Sequence, residues 1–274
     1  MRRSGVRPPS APPIEPMPES IEVVQAIQAS RKQLWAALTE PAHLAGWQAD
    51  NAAGSLRTQR LRLGWPTLGV ETELRVVEVE NEARLVLSSG RSVVAFTLES
   101  ERLRLTHDGL QGRDEVEGVR SSWQVALSLL DHYLKHHFAE SRTVHWAITP
   151  AEVSAEAAHV FFTDPQALNA WLTQATQGIG AAGSECSMRL KSGDQLHGMV
   201  LANTANRDVA ITWREREDSV LVFRTLPSPF VAGERILALS WSHWNCSGDD
   251  ESMQCHFVSA MSTLKQTLTR RGTA

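Results

Sequence analysis

Alternating apolar and polar residues mark most of the first half of the chain. The alternation covers residues 21–27, 55–63, 70–80, 84–88, 93–100 and 102–107. Turn-forming residues separate these stretches, among them Gly64, Pro66, Gly69, Asn81 and Gly90. Successive side chains of a strand point to opposite faces, so alternation is typical of half-buried antiparallel strands. The pattern predicts a leading strand over 21–27 and five further strands after it.

A different spacing closes each half of the chain. Large apolar residues step by four, three and four positions in two places: Trp123, Leu127, Leu130 and Leu134, then Phe257, Met261, Leu264 and Leu268. This spacing places four side chains along one stripe of a helix. Each stripe needs an apolar partner, and the predicted partner is the concave face of a sheet.

The chain also repeats itself at an offset of 124 residues. Five residues of the first half recur in the second, namely Ser30, Thr39, Pro41, Leu44 and Trp47 as Ser154, Thr163, Pro165, Leu168 and Trp171. Each serine stands where a helix N-cap is needed, and each proline starts a second short helix that ends near the tryptophan. The repeat predicts one unit of about 125 residues used twice.

These patterns predict an α+β protein with two tandem helix-grip domains, each a curved antiparallel sheet around a long C-terminal helix. The first domain is expected over residues 21–140 and a more divergent second domain over 141–274. Six of the twelve prolines lie in the first 18 residues. Residues 1–20 are therefore predicted to be an extended, disordered tail.

Three segments resemble a known family. They are the opening from Ala29 through Trp35 and Pro41 to Trp47, the strand Thr106-His107-Asp108-Gly109-Leu110, and the helix entry at Trp123. Together with the element order they resemble the START-like or Bet v 1-like (SRPBCC) superfamily, and within it the branch of activators of the heat-shock protein 90 ATPase. The resemblance covers about residues 20–138. It is weaker in the second half, where Ser242-His243-Trp244-Asn245 replaces the Thr-His-x-Gly pattern.

The resemblance implies a cavity between sheet and helix that often holds an apolar ligand. It does not define one function, because relatives with this fold bind lipids, cyclise polyketides or regulate a chaperone ATPase. Activity has to be argued from individual side chains.

Five residues are candidates for lining such a cavity: Trp47, Trp65, Phe96, His107 and Trp123. His107 is in phase with Leu103 and Leu105 on its strand, so an apolar face is expected to carry it. It could hydrogen-bond a ligand carbonyl or carry a proton. The alternative is that these aromatic rings fill the core and that the histidine has a protein partner.

No metal or cofactor is predicted. His132, His136 and His137 share a helix, but His132 and His136 lie opposite the leucine stripe and are expected to face solvent. Glu71, Glu73, Glu78 and Glu80 are interpreted as a charged outer face. No nucleophile elbow, phosphate-binding glycine loop or zinc-protease helix occurs in the sequence.

Composition narrows the partners. A net charge of −4 without basic runs disfavours nucleic acid, and no apolar run is long enough to span a membrane. Only three cysteines occur, without metal or disulfide spacing, which favours a reducing cytoplasm. The first hypothesis is a non-catalytic protein that encloses a small hydrophobic ligand. The alternative is an adaptor resembling the chaperone-ATPase activators, and the third is an enzyme of the polyketide cyclase or dehydratase kind with His107 as acid or base.

Overall fold

The computed structural model describes residues 19–228, 231–245 and 250–272. It contains two seven-stranded antiparallel sheets with the same strand order. In each, the leading strand pairs with the last strand, and the others follow in reverse chain order. The predicted α+β fold of two tandem helix-grip domains is confirmed.

The elements of the first half are β1 (Glu19–Ala26), α1 (Arg31–Thr39), α2 (Pro41–Trp47), β2 (Asn51–Ser55), β3 (Arg60–Trp65), β4 (Val70–Glu80), β5 (Arg84–Ser89), β6 (Ser92–Leu98), β7 (Arg102–Leu110) and α3 (Arg113–His136). Those of the second half are β8 (Arg142–Ala151), α4 (Ala155–Thr163), α5 (Pro165–Trp171), β9 (Thr173–Thr176), β10 (Glu185–Leu190), β11 (Gln195–Asn203), β12 (Val209–Trp213), β13 (Ser219–Pro227), β14 (Arg235–Trp244) and α6 (Asp250–Gly272). Short 3-10 turns follow β3 and β12, at Pro66–Leu68 and Arg214–Arg216.

The repeated residues make the same contacts in both halves. The Ser30 hydroxyl caps α1 and the Ser154 hydroxyl caps α4, each accepting a hydrogen bond from the amide three residues later. The Trp47 indole donates to the Ala37 carbonyl over 2.9 Å, and the Trp171 indole makes the same bond. Its acceptor, Phe161, lies 124 positions after Ala37. The two halves therefore share the hydrogen bond that joins their short helices as well as the sequence pattern.

Two boundaries differ from the sequence prediction. The single strand predicted over residues 55–63 is wrong, because β2 and β3 form a hairpin whose turn occupies residues 56–59. Gln59 adopts a positive φ of 54° in this turn, which breaks the extended backbone. Glu19 and Ser20, assigned to the tail, begin β1. The rest of the predicted tail lies outside the described residues.

Both predicted helix stripes face a sheet. Leu127, Leu130 and Leu134 of α3 are buried in the first core, and Trp123 is partly buried against it. In the second core, Phe257, Met261 and Leu264 of α6 are buried, with Leu268 packed at the edge. Each long helix is gripped by its own sheet, as the spacing predicts.

The second sheet is covered on both faces. Leu221, Phe223 and Trp241 belong to the second core with the stripe of α6, whereas Val220 and Val222 belong to the first core with the stripe of α3. The layers therefore run first sheet, α3, second sheet, α6. This arrangement explains why all five residues of β12 are buried, where a half-buried strand would alternate.

The prediction that His132 faces solvent is wrong. Its side chain is buried, and its Nε2 lies 2.6 Å from the Asp218 carbonyl of the second domain. His137 is also buried and stacks on Trp244, with ring centroids 4.3 Å apart. The periodicity located this face correctly, but a second domain covers it in place of water.

The remaining surface features follow the pattern. Glu71, Glu73 and Glu78 form exposed ion pairs with arginines of neighbouring strands, as expected for a charged outer face. Within the described ranges, no helix combines the length and apolarity needed to cross a membrane.

Candidate ligand cavity

The first domain contains a cavity of about 300 Å³ between its sheet and its helices. Its walls come from α1, α2, strands β3 to β7 and the middle of α3. Most lining groups are apolar, and Gln48, Thr72, Ser89, Ser92 and His107 supply the polar atoms. A mostly apolar enclosure with a few polar groups is typical of small-molecule sites.

All five sequence candidates line this one cavity: Trp47, Trp65, Phe96, His107 and Trp123. Trp47 lies at the end of α2 and is almost fully buried, Phe96 projects from β6, and Trp123 stands on α3. The rings of Phe96 and Trp123 are in edge-to-face contact, with centroids 5.7 Å apart. Residues separated by up to 76 positions therefore share one wall.

His107 is held by Trp123 in a defined protonation state. The Trp123 indole N–H donates to His107 Nδ1 over 3.0 Å. An accepting Nδ1 leaves the proton of the neutral ring on Nε2. That Nε2 is buried and has no hydrogen-bond partner among the described protein atoms.

Burial also lowers the pKa of His107, and the charges of Asp108 and Glu115 oppose this shift only in part. The ring is therefore neutral at pH 7. A neutral ring with a free Nε2–H is a hydrogen-bond donor for a ligand oxygen.

Most of the aliphatic lining is not predicted from the sequence. The wall also contains Leu61, Leu63, Leu87 and Val94, none of which is among the predicted lining residues. The signal for them was present, because Leu61 and Leu63 are in phase with Trp65. On the neighbouring strand β6, Val94 is the direct pairing partner of His107 and therefore lies on the same face.

A second space adjoins the cavity. A cleft of about 280 Å³ between the domains shares Trp47, Gln48, Trp65 and Trp123 with it. On its other side stand Arg142 and Arg224. Burial lowers the pKa of Arg142 to about 10, with Asp50 opposing the shift and Arg224 adding to it. Since this wall belongs to the second domain, its position follows from domain packing rather than from a local pattern.

The interior of the second domain is filled by its own rings. Phe162, Trp213, Phe223, Trp241 and Phe257 are almost completely buried there. Phe162 stacks on Phe223 at 5.6 Å, and Trp241 meets Trp213 and Phe257 at 6.2 and 6.1 Å. His243 lies on the same face of β14, and its ring is tilted against Trp241 with centroids 4.6 Å apart. The first domain is thus the better candidate for holding a ligand.

The first domain is similar to a known protein family. Residues 28–135 match the family described as activator of Hsp90 ATPase homolog 1-like protein. A search of curated proteins gives no significant match.

Among solved structures, DynU16, described as a putative protein in the dynemicin biosynthetic locus, is 18% identical, covers 91% of this chain and 98% of its own, and has a TM-score of 0.40. The di-domain ARO/CYC StfQ from the steffimycin biosynthetic pathway is 6% identical, covers 93% and 100%, and has a TM-score of 0.44. Aha1 from Colwellia psychrerythraea is 17% identical, covers 46% and 96%, and has a TM-score of 0.40.

The family match spans the opening helices, strands β2 to β7 and all but the last residue of α3, and it includes the segments that carry the predicted resemblance. Residues 28–135 are thus similar to the activator of Hsp90 ATPase homologue family, in a chain that contains two tandem helix-grip domains.

Proposed function

We propose that the first domain binds a small, mainly apolar molecule that carries a hydrogen-bond acceptor. The observation that carries this proposal is the free Nε2–H of His107 in an otherwise apolar cavity. A buried donor without a partner costs free energy, commonly about 1–3 kcal/mol. A ligand carbonyl or ether oxygen would supply the missing acceptor.

The size of the cavity limits the ligand class. A volume of about 300 Å³ lies at the lower end of the range usual for ligand pockets, roughly 300–1,000 Å³. The aromatic walls of Trp47, Phe96 and Trp123 favour a flat or aliphatic body that can contact their faces. The candidates to screen are fatty acids, sterols and aromatic polyketides.

The first test is native mass spectrometry of gently purified protein, followed by a thermal-shift screen of those three classes. A bound ligand raises the melting temperature because it binds only the folded state. Val94→Phe should abolish the shift by filling the cavity. Val93→Phe is the matched control, since Val93 neighbours Val94 on β6 but is not part of the cavity wall.

His107→Ala tests the polar contact. For a ligand found in this way, loss of the Nε2–H donor should weaken binding about tenfold, the usual worth of one hydrogen bond to a buried acceptor. Unchanged affinity in His107→Ala would remove the proposed donor. A protein that is empty on purification and responds to none of the three classes would remove the binding proposal itself.

The family match supports a second candidate function, a protein adaptor that acts on a chaperone ATPase. In this proposal the first domain contacts the ATPase directly. A pull-down with the chaperone and an ATPase assay at high protein excess test it. Stimulation supports the adaptor function, and no stimulation removes it.

The third hypothesis, a cyclase or dehydratase, needs His107 to transfer a proton. In the described part of the chain its ring is hydrogen-bonded by an indole rather than by a carboxylate. An indole donor orients the ring but does not stabilise an imidazolium, which favours ligand binding over proton transfer.

The cytoplasmic location stays a prediction, with which the unpaired thiols of Cys186 and Cys255 are compatible.

A further inference from the structure

Three side chains from different elements of the second domain converge on one point. His145 stands on β8, His243 on β14, and Asp250 is the first residue of α6. The two histidine Nε2 atoms are 3.2 Å apart. Asp250 Oδ2 lies 3.2 Å from the Nε2 of His243 and 3.7 Å from that of His145.

These three distances fit a tetrahedral metal centre. Zinc binds imidazole nitrogen and carboxylate oxygen at about 2.0–2.2 Å, so adjacent ligand atoms of a tetrahedron are separated by about 3.3–3.5 Å. The observed separations of 3.2, 3.2 and 3.7 Å bracket that range. A cation at the centre would have three protein ligands and one open position.

A neighbouring side chain prepares His145 for metal binding. His145 Nδ1 lies 2.9 Å from Oε1 of Gln254 on α6. Because an amide oxygen only accepts, Nδ1 carries the proton and Nε2 presents its lone pair to the cluster. Metal-bound histidines commonly donate their other N–H to such an oxygen, which fixes the ring.

The cluster pairs one carboxylate with two imidazole rings. The lone pair of His145 Nε2 and the Asp250 carboxylate both face His243 Nε2, which has at most one proton to donate. A divalent cation satisfies the carboxylate and both rings at once.

Access to the cluster is asymmetric. His243 is buried, while the Asp250 side chain is 32% exposed. The Trp241 ring covers the inner side, with His145 stacked on it at 5.4 Å and His243 tilted against it at 4.6 Å between centroids. The open position therefore lies on the side of Asp250, from which an ion or a water molecule can enter.

We propose that His145, His243 and Asp250 form a binding site for one divalent transition metal of the zinc class, with water as fourth ligand. The metal would tie the start of α6 to strands β8 and β14. No metal is predicted from the sequence, because these ligands are separated by up to 105 positions and have no compact spacing. This site is independent of the first-domain cavity.

The test is titration of the full chain, purified without a polyhistidine tag and stripped with a chelator, by Zn²⁺ in isothermal calorimetry. The expected result is one Zn²⁺ per chain. Co²⁺ used as a spectroscopic probe should give visible absorption typical of four-coordinate cobalt. Asp250→Asn and His145→Gln should each weaken Zn²⁺ binding at least tenfold.

His197→Gln is the matched control. His197 and Glu215 form an exposed histidine–carboxylate pair in the same domain, with no third ligand among the described residues, so this variant should bind Zn²⁺ as the wild type does. Circular dichroism without metal verifies that each variant is folded, and Zn²⁺ should raise the melting temperature of the wild type but not of Asp250→Asn. Absence of Zn²⁺ binding, or binding that Asp250→Asn and His145→Gln leave unchanged, would overturn the proposal.

Discussion

A single buried imidazole makes the stability of this protein depend on pH. The pKa of His132 is lowered to about 4, mainly because burial between the domains disfavours the charged ring. The hydrogen bond to the Asp218 carbonyl opposes this shift only in part. Above pH 6.5 the ring is neutral in both folded and unfolded chains. As pH falls below 6.5, the unfolded chain takes up a proton that the folded chain refuses, so stability falls.

His132→Gln should remove this dependence, since glutamine can still donate to the carbonyl but does not titrate. With pKa values of 6.5 and about 4, the wild type should lose roughly 2 kcal/mol more than the variant between pH 7 and pH 5. Urea unfolding at both pH values measures the difference.

His136→Gln is the control, because His136 lies one turn further along α3 and its side chain is 45% exposed. It should lose as much stability as the wild type on acidification. Equal losses in His132→Gln and the wild type would show that this ring does not cause the pH dependence.

His107 and His132 show what a sequence can predict for a single residue. The phase of His107 with Leu103 and Leu105 was sufficient to predict which face of the strand carries it, because the concave face of its own sheet determines its surroundings. The phase of His132 gave the correct side of α3 but the wrong environment. Whether a polar face of a helix meets water or another domain depends on contacts more than 80 positions away, which periodicity does not encode.

At the scale of elements, α2 and α3 approach so closely that only glycine fits at one position. A Cβ added to Gly46 would lie 2.6–2.9 Å from the Tyr133 ring. The Gly46 carbonyl also accepts a hydrogen bond from the Trp244 indole over 2.9 Å. Displacement of α2 would therefore disturb both domains.

Gly46→Ala should destabilise the protein by about 1–3 kcal/mol, as overpacking of a tight core does. Gly118→Ala is the matched control within α3, where an added Cβ would meet nothing nearer than Arg207 Nη1 at 3.9 Å. That change should stabilise the protein by about 0.5–1 kcal/mol through higher helix propensity. Chemical denaturation measures both, and the same sign in both variants would contradict the packing argument.

Elements with a strong local pattern were predictable from the sequence. β4 begins and ends at the predicted residues, and both serine caps occur where the repeat places them. The β2–β3 hairpin was not found, because residues 56–59 include neither glycine nor proline to mark the turn. Local chemistry predicts elements well and turns of unusual composition poorly.

At the scale of the molecule, α3 lies in a core that both domains build. Its inner stripe packs on the first sheet, and the same core includes Val220, Val222 and Trp244 of the second domain. The repeat predicted two domains but not this layering, since nothing in a duplicated unit says which face its copy will cover. We therefore expect the two domains to unfold together.

The buried hydrogen bond between Ser121 and Asp208 tests this coupling. The Ser121 hydroxyl of α3 donates to Asp208 Oδ2 over 2.7 Å, and both residues are at most 2% exposed. Ser121→Ala leaves a buried carboxylate without this donor, so it should lower the free energy of unfolding by about 1–3 kcal/mol. Ser262→Ala is the control, because Ser262 is exposed on α6 and its hydroxyl donates to the Val258 carbonyl of the same helix; this variant should stay within about 0.5 kcal/mol of the wild type. Urea unfolding followed by tryptophan fluorescence and circular dichroism should give one coincident transition that shifts as a whole in Ser121→Ala, because the lost contact joins the domains. Two separate transitions, or a shift confined to one of the two signals, would mean that the domains unfold independently despite sharing α3.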